Sequence, residues 1–238
     1  MEIMEIITEA INYPLNHMKE LGIYIAIMFV ISLIMLLTLG VAVIGASMDS
    51  VAAVGISGII GIILILLIAL LVEGYGLDII KLSIERSDDA PSIDIPRQII
   101  NGCKYIIMAI VYLIIPIIIM AILGAINDTL GLIVGVILFI IFGLALFMGA
   151  CRLAETESLG YALNIKEAIN DIMSVGIVKL LVILIVIVII GAILNIIAGL
   201  FSGHGTIGDI LSVIISAVVS AYMFFFQNRA FGLLYSDK

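Results

Sequence analysis

The sequence predicts an all-α fold, a polytopic membrane bundle of six transmembrane helices with amphipathic interfacial helices on the cytoplasmic side. Three observations carry this. Six uncharged apolar runs, at 21–48, 50–72, 105–127, 129–151, 180–203 and 210–228, each reach or approach the roughly 20 residues a membrane-spanning helix needs. The chain is 64% hydrophobic and 12% charged, about half the charge of an ordinary soluble domain. All ten Lys and Arg fall at the predicted termini or in the two long connections, on the side where basic residues accumulate in membrane proteins. Because the predicted external turns are short, part of that asymmetry follows from their length alone.

The elements follow in order. The first segment (1–20) places Ile3, Ile7, Ala10 and Ile11 at helical spacing before Pro14, an amphipathic helix lying in the interface. It carries Glu2, Glu5, Glu9 and Glu20 against Lys19, unlike the basic start of a cleaved signal peptide, so the first apolar run is read as a permanent helix. The second segment (73–104) shows a shorter amphipathic piece around Leu77, Ile80, Lys81 and Ile84. Asp88-Asp89-Ala90-Pro91 breaks it, and a helix restarts at Arg97 after Pro96. The third (152–179) has Ile165, Ala168, Ile169, Ile172 and Met173 at helical spacing. Asn164 and Glu167 stand at the spacing of a capping box. The whole of 1–238 thus reads as a single membrane domain with both termini in the cytoplasm of a plasma-membrane protein. It has a pattern repeated three times: interfacial segment, helix, tight external turn, helix. Glu9-Ala10-Ile11-Asn12 matches Glu167-Ala168-Ile169-Asn170, and Gln98-Ile99-Ile100-Asn101 is close; either internal repetition or chance similarity in apolar sequence accounts for this.

Composition excludes several roles. A net charge of −8 does not suit nucleic acid, which needs a basic patch. No nucleophile-base pair, metalloprotease motif or phosphate-binding loop is present, and neither an enzyme nor a cofactor is expected. Cys103 and Cys151 read as small packing residues. Glu155 and Glu157 near Arg152 read as a solvated helix face. No ionisable residue sits well inside a predicted span, which lowers the expectation of ion-coupled transport.

The remaining candidates are few. Asp49, Asp128 and Asp209 place one carboxylate in each external turn. They are expected to cap the helices that follow, and would form a cation site only if the turns converged. His204 shares the third turn; His17 lies on the other side. Ser212, Ser216 and Ser220 form a stripe beside Ala217 and Ala221, either a packing face or a polar lining. Gly131 and Gly135, and Gly55, Gly58 and Gly61, are packing signals. Pro116 is expected to kink its helix, and Asn195 to bond to a neighbouring one.

Tyr13-Pro14-Leu15, Gly74-Tyr75-Gly76-Leu77, Ser87-Asp88-Asp89-Ala90-Pro91, Asn101-Gly102-Cys103-Lys104 and Asn228-Arg229-Ala230-Phe231-Gly232-Leu233-Leu234-Tyr235 occur in that order. Their order resembles an uncharacterised, mostly archaeal family of multi-pass membrane proteins, a domain of unknown function with family number 4013. The family usually has Leu-Pro followed by an aromatic residue, and a Trp, in the middle linker; here Ala90-Pro91 is followed by Ser92-Ile93-Asp94. The resemblance spans nearly the whole chain, implies a polytopic membrane protein, and supplies no catalytic or binding residue. The functional expectation is a structural or interaction component of the membrane, partnered by the lipid bilayer and by other membrane proteins or copies of itself. The alternatives are a small permease or channel subunit and, more weakly, a lipid-handling protein.

Overall fold

The computed structural model describes residues 1–47 and 51–238, without the side chains of 42, 46, 47, 51–54 and 57. Among the described residues all regular structure is helical: α1 (Ile3–Asn16), α2 (Met18–Ser47), α3 (Val51–Ile84), α4 (Ile95–Ile126), α5 (Asp128–Thr156), α6 (Leu159–Ala162), α7 (Ile165–Val175), α8 (Ile177–Gly199) and α9 (Gly205–Tyr235). Six of them, α2 to α5, α8 and α9, are long and apolar enough to cross a membrane. Both chain ends lie at one end of the bundle, where the Met1 ammonium pairs with Asp237 at 2.7 Å.

The long helices overrun their apolar runs, and this corrects the predicted middle linker. α3 continues through Leu77, Ile80 and Lys81 to Ile84 instead of yielding to an interfacial helix. α4 begins at Ile95, with Asp94 accepting the Arg97 amide and Pro96 in its first turn. The extension persists because its charges find partners on other helices: Asp78 of α3 meets Arg97 of α4, and Lys81 meets Glu157. The threefold pattern therefore lacks its middle interfacial helix. Its outer two members are present as α1 and α7, and the matching Ala10 and Ala168 are both fully buried. Pro14 does not end α1, which runs on to Asn16. α4 likewise continues through Pro116. Asn164 accepts the Glu167 amide as the cap of α7, while Met173, expected on its apolar stripe, is 70% exposed.

Burial is concentrated at the termini end. The last turns of α9, from Phe224 to Tyr235, are largely enclosed, together with Leu70–Ile80 of α3, Ala145–Ala154 of α5 and, on α8, Leu180 and Ile183. α9 touches α1, α2, α3 and α8, and so forms the hub. Lipid chains are as apolar as Ile, so helix association in a bilayer relies on close packing and polar bonds. Two glycines show the close packing. A Cβ on Gly74 would run into the Gln98 carbonyl, and one on Gly102 into the Leu70 carbonyl, so α3 and α4 cross backbone to backbone.

Candidate functional site

The termini end holds a layer of ion pairs joining nearly every helix. Arg229, fully buried near the end of α9, pairs with Glu9 of α1 and at 2.9 Å with Asp88 of the 85–94 loop. Its guanidinium also donates to the Ser87 carbonyl and stands 4.8 Å from the Tyr13 ring centroid. The Tyr13 hydroxyl donates to the Asp89 carbonyl at 3.1 Å, and burial pushes that phenol up to about 12. Short sequence motifs far apart in the chain thus meet at one guanidinium.

A second knot joins α5, α7 and the C-terminus. Arg152 pairs with Asp171 at 2.9 Å with both side chains almost wholly enclosed. Lys238 reaches the other Asp171 oxygen at 2.7 Å, and the Tyr235 hydroxyl donates to this carboxylate at 3.3 Å. The Arg152 guanidinium lies 4.0 Å over the Tyr161 ring. The reading of a solvated face is therefore wrong for Arg152, which is buried, while Glu155 is exposed as that reading expects. A signal was available, because Asp171 falls on the stripe of Ala168, Ile172 and Val175 and so had to be buried with them.

Two further knots complete the layer. Arg97 grips Asp78 with both terminal nitrogens, at 2.8 and 2.9 Å, and Gln98 donates to the same carboxylate at 2.8 Å. Glu157 caps α5 in the left-handed region (φ 52°). The Lys81 hydrogen bond and the nearby charges of Arg97 and Lys104 hold its carboxyl below the usual range. Asp237 gathers the N-terminal ammonium, Lys179 at 3.0 Å and Arg86 at 3.1 Å. Burial alone would raise its carboxyl, but the hydrogen bonds from Met1 and Lys179 win and lower it.

One unpaired acid within the long helices borders a cavity. Glu73, half-buried on α3, enters none of these ion pairs or hydrogen bonds. It borders a cavity of about 110 Å³ with Tyr105, Gln227, Asn228 and the rings of Phe147, Phe224 and Phe231. The predicted spans hold no Asp, Glu, Lys, Arg or His, but the helices overrun them, and Glu73, Asp78, Lys81, Arg97, Arg152 and Arg229 all lie in these extensions, near the termini end.

The sequence candidates sit elsewhere. Asn127, not Asp128, caps α5, by accepting the Leu130 amide at 2.9 Å. Asp209 lies inside α9 and accepts the Gly203 amide of the preceding turn at 2.9 Å. Asp49 falls outside the described residues, among which no group of three or more His, Cys, Asp or Glu is placed to hold a metal ion. His204 Nδ1 lies 3.1 Å from the Ser202 carbonyl, and the His17 ring lies tilted against that of Tyr13, 4.4 Å between centroids. Asn195 is exposed and donates to the Gly191 carbonyl of its own helix, not to a neighbour, because α8 turns this face outward. Ser212 and Ser216 are half-buried and Ser220 is exposed, and none of the three borders the Glu73 cavity. Gly131 faces the backbone of Gly124 and Gly135 the side chain of Met120, where α5 crosses α4. Gly61 meets Thr38, whereas among the described residues nothing lies within 4 Å of a Cβ placed on Gly55 or Gly58. Cys151 is buried, but Cys103 is exposed and so does not pack inside the protein.

Six membrane-length helices and one packed polar end define a polytopic helical membrane protein. Residues 57–203 match the family model described as "Protein of unknown function (DUF4013)", and the chain belongs to that family. The match covers α3 in part and α4, α5 and α8 whole; α1, α2 and α9, with the Tyr13-Pro14 and Asn228–Tyr235 motifs, lie outside it. No curated protein and no solved structure matches the chain.

Proposed function

We propose that this protein is a non-enzymatic structural or interaction component of the plasma membrane, with both termini in the cytoplasm. The ion-pair layer supports this reading. Charged groups in a transporter line the path of the solute or proton. Here those of the helix ends are turned on one another and join α1, α3, α4, α5, α7 and α9. A bundle closed in this way is suited to hold a fixed shape among neighbours in the bilayer, as a homo-oligomer or with other membrane proteins.

Gentle solubilisation of the native membrane, followed by mass measurement of the purified particle, tests the role. A fixed complex larger than one chain is expected. A monomer that moves solute when reconstituted into vesicles would overturn the reading in favour of a small permease, an alternative that Glu73 and its cavity favour. Orientation is tested with Thr206→Cys in a Cys103→Ser background. Thr206 is exposed at the start of α9, so an impermeant reagent added to intact cells should label it, and protection would reverse the topology.

A further inference from the structure

We infer that the cavity beside Glu73 is a binding site for an ammonium group, primary or methylated. Three features converge on that chemistry. The first is charge: the enclosed carboxylates Asp78, Asp171 and Asp237 each have a cation of the protein, whereas Glu73, half-buried at the cavity wall, has none among the described residues. A carboxylate drawn partly out of water gains from a positive partner, and no described residue supplies one at Glu73.

The second is the supply of acceptors. Asn228 commits its Nδ2 to the Phe224 carbonyl at 2.7 Å, which leaves its Oδ1 to accept. Gln227 and Tyr105 add an amide and a phenol whose side chains have no partner within the protein. A primary ammonium has only donors and is matched by such a wall, whereas a quaternary one has none and would be held by charge and ring faces alone.

The third is the aromatic lining. Tyr105 and three phenylalanines border the space, with Phe147 and Phe231 stacked at 4.4 Å. Ring faces attract cations, most strongly where water is excluded. A hard divalent ion would require six or more oxygen ligands, which rings cannot provide. The volume, about 110 Å³, is several times the ~10–15 Å³ that one water needs by the same measure, enough for a small ammonium head. Glu73 and Tyr105 stand where the apolar runs of α3 and α4 end, the point along a spanning helix at which lipid headgroups are expected. The ammonium could therefore come from a lipid headgroup or from a free amine.

The test uses the full chain in detergent, with ethylammonium and tetramethylammonium chloride as probes against sodium chloride at equal ionic strength. A saturable rise in the unfolding midpoint is expected with the ammonium salts only. Glu73→Gln should weaken it about tenfold or more, Glu73→Asp should retain part of it, and Tyr105→Leu should reduce it while leaving the carboxylate in place. No saturable rise with either ammonium, or an equal rise in Glu73→Gln, overturns the inference. A second arm compares discs of phosphatidylethanolamine and phosphatidylglycerol with discs of phosphatidylglycerol alone. Retention of the ethanolamine lipid by the wild type and its loss in Glu73→Gln assign the headgroup as source. Binding of the free amines with no such retention assigns a soluble amine. The measurement is made on the isolated chain, so it is independent of whether a membrane partner is found.

Discussion

The two halves of this bundle are built on different principles, although the same six helices run through both. At the termini end, α9 buries nearly every residue from Phe224 to Tyr235, and charged groups tie it to α1 and the 85–94 loop. At the turn end the same helix exposes Ile207, Ile210 and Leu211, and its neighbours expose Leu36, Leu39, Ile59 and Ile62. Burying an Ile against another helix gains little when the alternative is a lipid chain. The difference shows what specifies tertiary structure in a bilayer: polar pairing and close backbone approach rather than apolar burial.

Breaking the densest ion pair should give the largest effect. Arg152→Met removes the partner of Asp171, where both side chains are enclosed, and leaves Lys238 as its remaining counter-ion. Losing one member of a buried pair costs about 3–5 kcal/mol. Thermal unfolding of the purified protein should show a loss near the lower end of that range, because Lys238 stays. An unchanged midpoint would mean that the layer does not hold the helices.

Backbone crossings come next. Gly74→Ala sets a methyl against the Gln98 carbonyl and forces α3 and α4 apart, at a cost of about 1–3 kcal/mol. Gly58→Ala, on the same helix toward the turn end, meets nothing within 4 Å among the described residues and should be neutral or slightly stabilising. Equal effects in the two variants would erase the contrast between the halves.

This pairing also explains what could be read in advance. Class and helix number were legible because membrane thickness imposes a length that apolar runs reveal directly. The helix ends were not legible. A charge after an apolar run reads as the start of a loop unless its partner is known, and Asp78 and Arg97 lie on separate helices. Arg229 was visible only as one motif among several, since nothing local says that Glu9, Tyr13 and Asp88 surround it. Glu73 was hidden for the same reason, lying one residue beyond the second apolar run in what read as a linker. Ala10 and Ala168 were legible, because their helices are amphipathic and short.

The pH dependence of stability should also belong to the termini end. Asp237 has its carboxyl lowered by the N-terminal ammonium and Lys179. A lowered carboxyl contributes stability that is fully present above its unfolded value, about 3.9, and is lost as pH falls through the folded value below it. Unfolding midpoints should therefore drop as the pH is taken below about 4, and Asp237→Asn should flatten that acid limb while lowering stability at neutral pH. An acid limb identical in the two proteins would show that this knot is not closed in solution.

The smallest effect should come from the turn end. Asn195 is a polar side chain within a long apolar helix, and by composition alone it is the residue one would mutate first. Its amide, however, returns to Gly191 of its own helix and ties α8 to nothing else. Asn195→Leu replaces an outward-facing amide by a group that lipid accepts at least as well, so stability should change by about 0.5 kcal/mol or less. The same measurement on Arg152→Met supplies the contrast in one assay. A large loss at Asn195 would locate a helix contact in the outer half, from a partner or a second copy of the chain, and would extend polar pairing to both ends of the bundle.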